Sequence, residues 1–363
     1  MGLQEKVTRR LTYRKGSGKL IDQVLFVSFG GKQVSDSPLD IFFELQKTRP
    51  GLKLVWAVVS SDQTVPAGAS KVLVGSVEWF SALAKSKYLV SNNNLPQYFR
   101  KTPGQIYLET WHGTPLKKIG LDIANNNLTS GYNAAMKREA GYWDYLVSPN
   151  QFCSEIFPRA FGFRGRLLET GYPRNDRLQK PNTSIRAKIG IAEGQTVVLY
   201  APTWRDDARD AEGNWATVNN LAQLKLPKNF TLLYRGHTNT LASSRNLAAG
   251  TIDVTEYPDV TDLYLAADVL VTDYSSVMFD FSVTGKPMIF LCPDLAEYRT
   301  LRGFYFDFED EAPGPIVKTA GEVVEALKKL PKRDKKYAAW QAKFNALEDG
   351  KASARVVDAV FQA

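Results

Sequence analysis

The sequence predicts a two-lobed α/β protein, two Rossmann-like halves facing a central cleft with helices at the C-terminus. Three observations predict it. Short apolar, β-branched runs alternate with helix-period segments along most of the chain, the pattern of parallel sheets covered by helices. The alternation runs once to about residue 180 and then begins again. The length, 363 residues with 44% hydrophobic and 23% charged content, suits two globular cores of ordinary size. The expected divisions are a basic leader over 1–19, a first Rossmann-like domain over 20–180, a second over 181–345 and a helical tail over 346–363.

In the first half, Val24 to Phe29 reads as a buried strand, and Gly30-Gly31 behind it as a turn into a helix near Pro38 to Leu45. That turn does not complete GxGxxG and is weak support for dinucleotide binding. Leu52 to Val59 is the second strand; Lys71 to Val74 and Lys87 to Ser91 continue the alternation, the latter after the helix-like EWFSALAKS. Ile106 to Thr110 runs straight into Trp111, His112, Gly113, Thr114 and Pro115. His112 therefore lies at a strand end, on the rim where α/β folds place their ligands, and is a candidate base. Asp122 to Tyr132 carries no core pattern and reads as a mobile loop or a bound segment. Tyr145 to Ser148 and Leu167 to Tyr172 are strands, and GYPRND, Gly171 to Asp176, is a turn opening an interdomain connection.

The second half repeats the scheme. Val197 to Tyr200 is a strand, APTWRDD a rim loop, Leu221 to Leu224 a helix, and Phe230 to Tyr234 a strand with Arg235, Gly236 and His237 at its end. Thr251 to Val254 is a strand and Thr261 to Ala267 a helix. Val269 to Thr272 is a strand that leads through Asp273 and Tyr274 to two adjacent hydroxyls, Ser275 and Ser276, where a helix should begin. The unpartnered N–H groups and dipole of a helix start attract phosphate, but serine is also a favoured cap. Both readings stay open on this segment alone. Pro287 to Leu291 is a strand, Tyr298 to Phe308 aromatic and irregular, and Ala320 to Leu330 and Tyr337 to Leu347 helices.

A net charge of +8, from 46 Lys and Arg against 38 Asp and Glu, suits an anionic partner. The basic residues are dispersed, without an aromatic-basic motif, which argues against nucleic acid. Cys153 and Cys292 form neither a CxxC nor a Cys/His metal spacing, so no disulfide framework or zinc site is expected, and a reducing cytosol fits. No run approaches the roughly 18 apolar residues of a membrane span. The leader, with Lys6, Arg9, Arg10, Arg14, Lys15 and Lys19 against Glu5, reads as a solvated arm or as a contact to an anionic lipid surface. The rim groups His112, Lys117, Arg174, Arg205, Arg235, His237, Asp273, Ser275 and Ser276 together describe a site that moves a phosphorus group, where positioning and charge stabilisation carry the chemistry.

These residues also carry a resemblance. WHGTPLKKIG, GYPRND, YAPTWRD, RGH at Arg235 to His237, YPDVTDLYLAADVLVTDYSSVMFDF and RGFYFDF resemble the CDP-glycerol glycerophosphotransferase family, which includes teichoic acid primases and polymerases of Gram-positive bacteria and related capsule polymerases. The motifs span nearly all of the chain after the leader. The resemblance implies a GT-B fold and transfer of an alditol phosphate, usually glycerol phosphate, from its CDP ester to a hydroxyl of a polyprenyl-diphosphate-linked glycan or growing polymer, releasing CMP. By it, His112 would be the general base and His237 would contact the pyrophosphate and favour CMP departure. Ser275 and Ser276 would hold the donor phosphates with Arg205 and Arg174, and the segment Thr255 to Asp259, with Tyr257, would line the cytidine pocket by its backbone. Gly113, Thr114, Lys117, Arg235 and Asp273 complete the expected binding set. Thr238 stands where the family commonly has Pro. No obligatory metal is expected, a divalent cation carried by the donor being left open, and the enzyme would work on the inner, cytoplasmic face of the membrane. The length resembles the short members, which add a first unit or act in capsule assembly. A GT-B glycosyltransferase using a nucleotide sugar is the alternative.

Overall fold

The computed structural model describes residues 19–124, 131–180, 182, 184–203, 226–236 and 247–362. The basic leader lies outside the described residues, as do Arg205, His237, Thr238, the expected helix at Leu221 to Leu224 and most of the polar stretch after Asp122. The chain forms two compact units, each built on its own sheet. The first contains the chain up to His112, Gly120–Asp176 and the C-terminal segment from Leu347; the second contains Gly113–Ile119 and Arg177–Ala346.

The first unit is a seven-stranded sheet in the order β3-β2-β1-β4-β5-β6-β7, parallel throughout. Its strands are β1 (Ile21–Val27), β2 (Lys53–Val58), β3 (Ser70–Leu73), β4 (Ser86–Ser91), β5 (Ile106–Glu109), β6 (Tyr145–Ser148) and β7 (Arg166–Glu169). The central strands are buried on both faces, as their unbroken apolar runs require. Helix α1 (Asp36–Thr48) takes Pro38 in its first turn, where the missing N–H is harmless, and buries Leu39, Ile41, Phe42 and Leu45 against Phe26 and Trp56. Helix α2 (Val77–Lys85) is capped by the Ser76 hydroxyl on the Trp79 N–H.

Two helices of this unit were not legible in the sequence. They are α3 (Tyr132–Ala140) and α4 (Gln151–Phe161); α4 contains Pro158, a residue that reads as a breaker, yet is capped by Asn150 and closed by Gly162 in the left-handed region. The segment expected as a separate tail belongs to this unit's core. Val356, Val357, Val360 and Phe361 join the cluster around Phe26 and Trp56, and both Asp176 carboxyl oxygens accept from the Ala352 and Ser353 N–H groups at the start of that helix.

The second unit is a six-stranded sheet in the order β10-β9-β8-β11-β12-β13, also parallel. Its strands are β8 (Thr196–Ala201), β9 (Phe230–Tyr234), β10 (Ile252–Asp253), β11 (Val269–Thr272), β12 (Met288–Leu291) and β13 (Ile316–Val317). The last, of two residues, is too short to leave a pattern. Between β10 and β11 lies α6 (Val260–Ala266), preceded in the chain by α5 (Ser184–Ile189); α7 (Val277–Phe281) follows β11. The aromatic stretch expected as irregular is half helix: α8 spans Leu295–Arg302, and the following α9 (Phe308–Glu311) is capped by Asp307. Phe306 packs with Phe279, Trp340 and Phe344, so the aromatics form a local core. Both sheets reverse their strand order once, between β1 and β4 and between β8 and β11, the switch points at which open α/β sheets leave room for ligands. This is the GT-B type of α/β architecture.

Candidate active site

In the first unit the site grows from the β1/β4 switch point. The Asn92 side chain, just past β4, accepts the N–H of Phe29, just past β1, at 2.8 Å. The backbone carbonyl of Asn92 meets His112 Nδ1 at 2.6 Å. A carbonyl only accepts, so Nδ1 carries the proton and Nε2 of the neutral ring keeps its lone pair. The imidazole is stacked on Trp111 with centroids 4.2 Å apart and faces Phe29 at 5.9 Å. Burial lowers its pKa from the ordinary 6.5 and the Arg174 charge adds to this, while the Asn92 bond and the Asp36 charge oppose it. The His112 ring is thus held in one tautomer, with Nε2 unprotonated at neutral pH.

Among the described residues, three other than glycine have left-handed φ: Phe29 (46°), Asp36 (63°) and Trp111 (54°). Phe29 and Trp111 flank the His112 ring, and the Asp36 charge acts on it. Strain of this kind, about 1–3 kcal/mol per residue, persists only where surrounding structure fixes it, and it clusters at active sites. Arg174 is buried, bonds Asp36 at 3.0 Å and lies over the Tyr172 ring. The expected phosphate ligand is therefore part of a buried pair that shapes the field at His112.

In the second unit, GTPLKK (Gly113 to Lys118) and TDYSS meet. A Cβ at Gly113 would lie 2.7 Å from Ser276 Oγ, so only glycine lets the two motifs approach so closely. Thr114 is buried beside it in the chain. Ser276 stands at the start of α7 with helical backbone angles and makes no capping bond; Ser275 Oγ reaches the Val277 N–H at a weak 3.5 Å. Capping therefore does not account for the serine pair. Asp273 is tied inward, its Oδ1 accepting the Thr203 and Tyr274 N–H groups, and so joins β8 to β11 across the second switch point. Lys117 pairs with Phe304 in an antiparallel bridge and its Nζ donates to the Tyr298 hydroxyl at 3.3 Å. Tyr298 in turn stacks on Tyr274, centroids 4.1 Å apart. Lys117 and RGFYFDF thereby brace the serine turn.

Arg235 is also used inward, donating to the carbonyls of Val254 and Tyr257, while the Gly236 N–H donates to Thr255 Oγ1. Burial lowers the Arg235 pKa. The segment expected to line a base pocket is thus pinned to the end of β9. Arg177 bonds Asp259 at 2.6 Å from its other side, and the Tyr257 hydroxyl donates to Asp262, its own pKa pushed up to about 12, by burial first. Sequence reasoning did not single out Asn92, Phe29, Asp36 or Tyr298; each acts by orienting a motif residue, a role with no spacing signature. Among the described residues no cluster of three His, Cys, Asp or Glu side chains is placed to hold a metal.

Residues 12–362 match the family described as CDP-Glycerol:Poly(glycerophosphate) glycerophosphotransferase. A teichoic acid glycerol-phosphate transferase of Staphylococcus aureus is 40% identical over 361 residues, covering 93% of this chain and 92% of that protein. A teichoic acid poly(glycerol phosphate) polymerase of Bacillus subtilis is 39% identical over 94% of this chain, which spans 48% of its length. The solved structure of the wall teichoic acid polymerase TagF superimposes with a TM-score of 0.88 at 34% identity, over 99% of this chain and 93% of that one.

Proposed function

The chain belongs to the CDP-glycerol:poly(glycerophosphate) glycerophosphotransferase family of enzymes, and from that premise we propose that it transfers glycerol phosphate from CDP-glycerol to a hydroxyl of a teichoic-acid-type acceptor. The acceptor oxygen attacks the phosphorus that bears glycerol, the bond from that phosphorus to the bridging oxygen breaks, and CMP leaves with the electron pair. His112 Nε2 takes the hydroxyl proton. The observation that carries the reading is the Nδ1 bond to the Asn92 carbonyl, which leaves Nε2 the basic atom. Ser275 and Ser276, neither of which makes a strong capping bond, bind donor phosphate, and the pinned segment Thr255 to Asp259 receives the cytosine. In this reading His237 contacts the pyrophosphate and favours departure of CMP, and Arg205 helps the serines hold the donor phosphates. The serine hydroxyls and the basic groups supply charge stabilisation without a protein-bound metal; activity that survives EDTA with CDP-glycerol supports this, and loss restored by Mg²⁺ assigns a cation to the donor.

The acceptor in this reading is lipid-linked or a growing polymer at an anionic membrane face, a partner that the excess of 46 basic over 38 acidic residues suits. Among the described residues no helix is long and apolar enough to cross a membrane. Removal of residues 1–18 is expected to weaken sedimentation with anionic liposomes, and unchanged sedimentation rejects the leader as the contact. For the reaction itself, purified protein is incubated with CDP-glycerol and a glycerol-phosphate-primed lipid acceptor. CMP release that requires both is expected; turnover of a UDP-sugar to UDP instead would move the protein to glycosyl transfer.

A further inference from the structure

Beneath Trp111 lies a group of buried acids that the reaction above does not use. Tyr107, Glu109 and Glu139 are all buried, Tyr107 and Glu109 fully. Glu109 Oε1 accepts the Trp111 N–H at 2.9 Å, and its Oε2 lies 3.3 Å from the Tyr107 hydroxyl. That hydroxyl lies 3.1 Å from Glu139 Oε1, which also accepts the Leu95 N–H at 2.9 Å. Glu139 Oε2 and the Trp143 indole nitrogen are buried in the same group.

Counting protons assigns the states. One phenol supplies one proton, yet its oxygen contacts two carboxyls, so at least one carboxyl must be protonated or two lone pairs would face each other. Glu139 Oε1 already acts as an acceptor, which makes it the acceptor of the Tyr107 proton as well. Glu109 Oε2–H then donates to Tyr107, and Glu109 Oε1 is left as a carbonyl oxygen facing the Trp111 N–H. A protonated Glu109 also avoids burying two charges side by side, and burial indeed raises both carboxyl pKa values, that of Glu109 well above the usual range.

The chain ends on a strained residue. Trp111 holds φ at 54°, a conformation unfavourable for a side chain of its size. Its N–H is fixed by Glu109 and its carbonyl by the Thr110 hydroxyl at 3.1 Å. Its ring packs between Phe161 and the His112 imidazole. Relaxing φ would swing that ring and redirect the peptide that carries His112.

We propose that Glu109 is a positioning residue of the transferase: as a neutral acid in the relay Glu109–Tyr107–Glu139, it clamps the left-handed Trp111 peptide and thereby aims His112. The proposal rests on the reading of His112 as the base. It requires a donor and an acceptor at one buried carboxyl, and it requires no negative charge there.

Two substitutions of similar length separate these requirements. Glu109→Gln keeps an acceptor for Trp111 and a donor for Tyr107; Glu109→Met keeps the volume and offers neither. The full chain is assayed for kcat and for KM towards CDP-glycerol, with melting temperature and calorimetric CDP-glycerol binding as folding controls. E109Q is expected within about threefold of the parent kcat, and E109M at least tenfold lower, with KM for the donor changed less than about threefold. Parent-level kcat in E109M overturns the proposal, and so does an E109Q enzyme as slow as E109M, since a charge would then be what matters. The Trp111→Gly background is the second arm, because glycine adopts this φ freely. There E109M should lower kcat less than about twofold beyond W111G alone, and a further tenfold fall contradicts action through the Trp111 peptide. His112→Asn run in parallel keeps the outcomes apart: an active H112N enzyme defeats the base assignment, whereas an inactive H112N with a fully active E109M defeats the positioning role alone.

Discussion

Replacing His112 by Asn removes the nitrogen assigned to catalysis and leaves much of its surroundings intact. The Asn amide can still donate to the Asn92 carbonyl that Nδ1 contacts at 2.6 Å. What disappears is Nε2 and the ring that stacks on Trp111 at 4.2 Å and faces Phe29 at 5.9 Å. General-base catalysis contributes about 10²–10⁴ in rate. A loss in kcat of roughly 10³-fold, about 4 kcal/mol of transition-state stabilisation, is the expected effect. The lost aromatic contacts set the stability effect at about 1 kcal/mol, a melting shift of a few degrees. CDP-glycerol binding should stay within about threefold, because the serine turn that holds phosphate in this account is built inside the second unit. The assay is CMP release at saturating donor, beside calorimetric donor binding and thermal unfolding. A folded variant with kcat within about threefold of the parent refutes the base assignment, as does a variant whose whole defect is weaker donor binding.

The acidic limb of kcat/KM should fall below the ordinary histidine value of 6.5, because burial lowers the His112 pKa; a limb at or above 6.5 contradicts it. The same shift acts on stability: between the folded-state value and 6.5 the unfolded chain binds more protons, so stability drops as pH falls through that window, a slope that H112N should lessen in urea titrations. Ser275→Ala and Ser276→Ala should each weaken CDP-glycerol binding by about 1.5–3 kcal/mol, as for bonds to a charged group, with little change in melting because neither serine makes a strong cap. Gly113→Ala should lower kcat/KM more than tenfold in a folded protein, since the added methyl would lie 2.7 Å from Ser276 Oγ; parent-level kcat/KM contradicts that close approach. Arg174→Ala strands the buried Asp36 carboxylate and should cost about 3–5 kcal/mol of stability by denaturant titration, against a surface-like change below 1 kcal/mol if the pair is merely incidental.

The strands were legible because each has a local cause. β-branched runs bounded by turns fix β1, β5 and β11, and the rim position of His112 follows from the run of Ile106 to Thr110 into it. The strand expected to continue to Phe29 instead ends at Val27, because Phe29 turns into the left-handed region to reach Asn92. The C-terminal helix looked like a tail since nothing in ASARVVDAV says which core it joins; that choice is made by Asp176 and by the packing of Phe361 on Tyr88, 176 and 273 residues distant in the chain. Arg174 was expected beside the donor phosphates and Arg235 in the substrate-binding set. Their carboxylate and carbonyl partners come from other elements, and a basic residue in a motif does not announce whether it faces ligand or protein. Glu109 was invisible for a related reason, lying inside a strand where a carboxylate is out of place until its contact with the Tyr107 hydroxyl, which also meets Glu139, is seen.

The most direct test of the central claim follows one phosphorus atom. CDP-glycerol labelled only at the phosphorus that bears glycerol is turned over with the primed lipid acceptor, and the products are separated. The account predicts label on the acceptor and unlabelled CMP in equal amounts. Label retained in a nucleoside diphosphate, with unlabelled glycerol on the acceptor, would mean that a carbon–oxygen bond is broken and would contradict it.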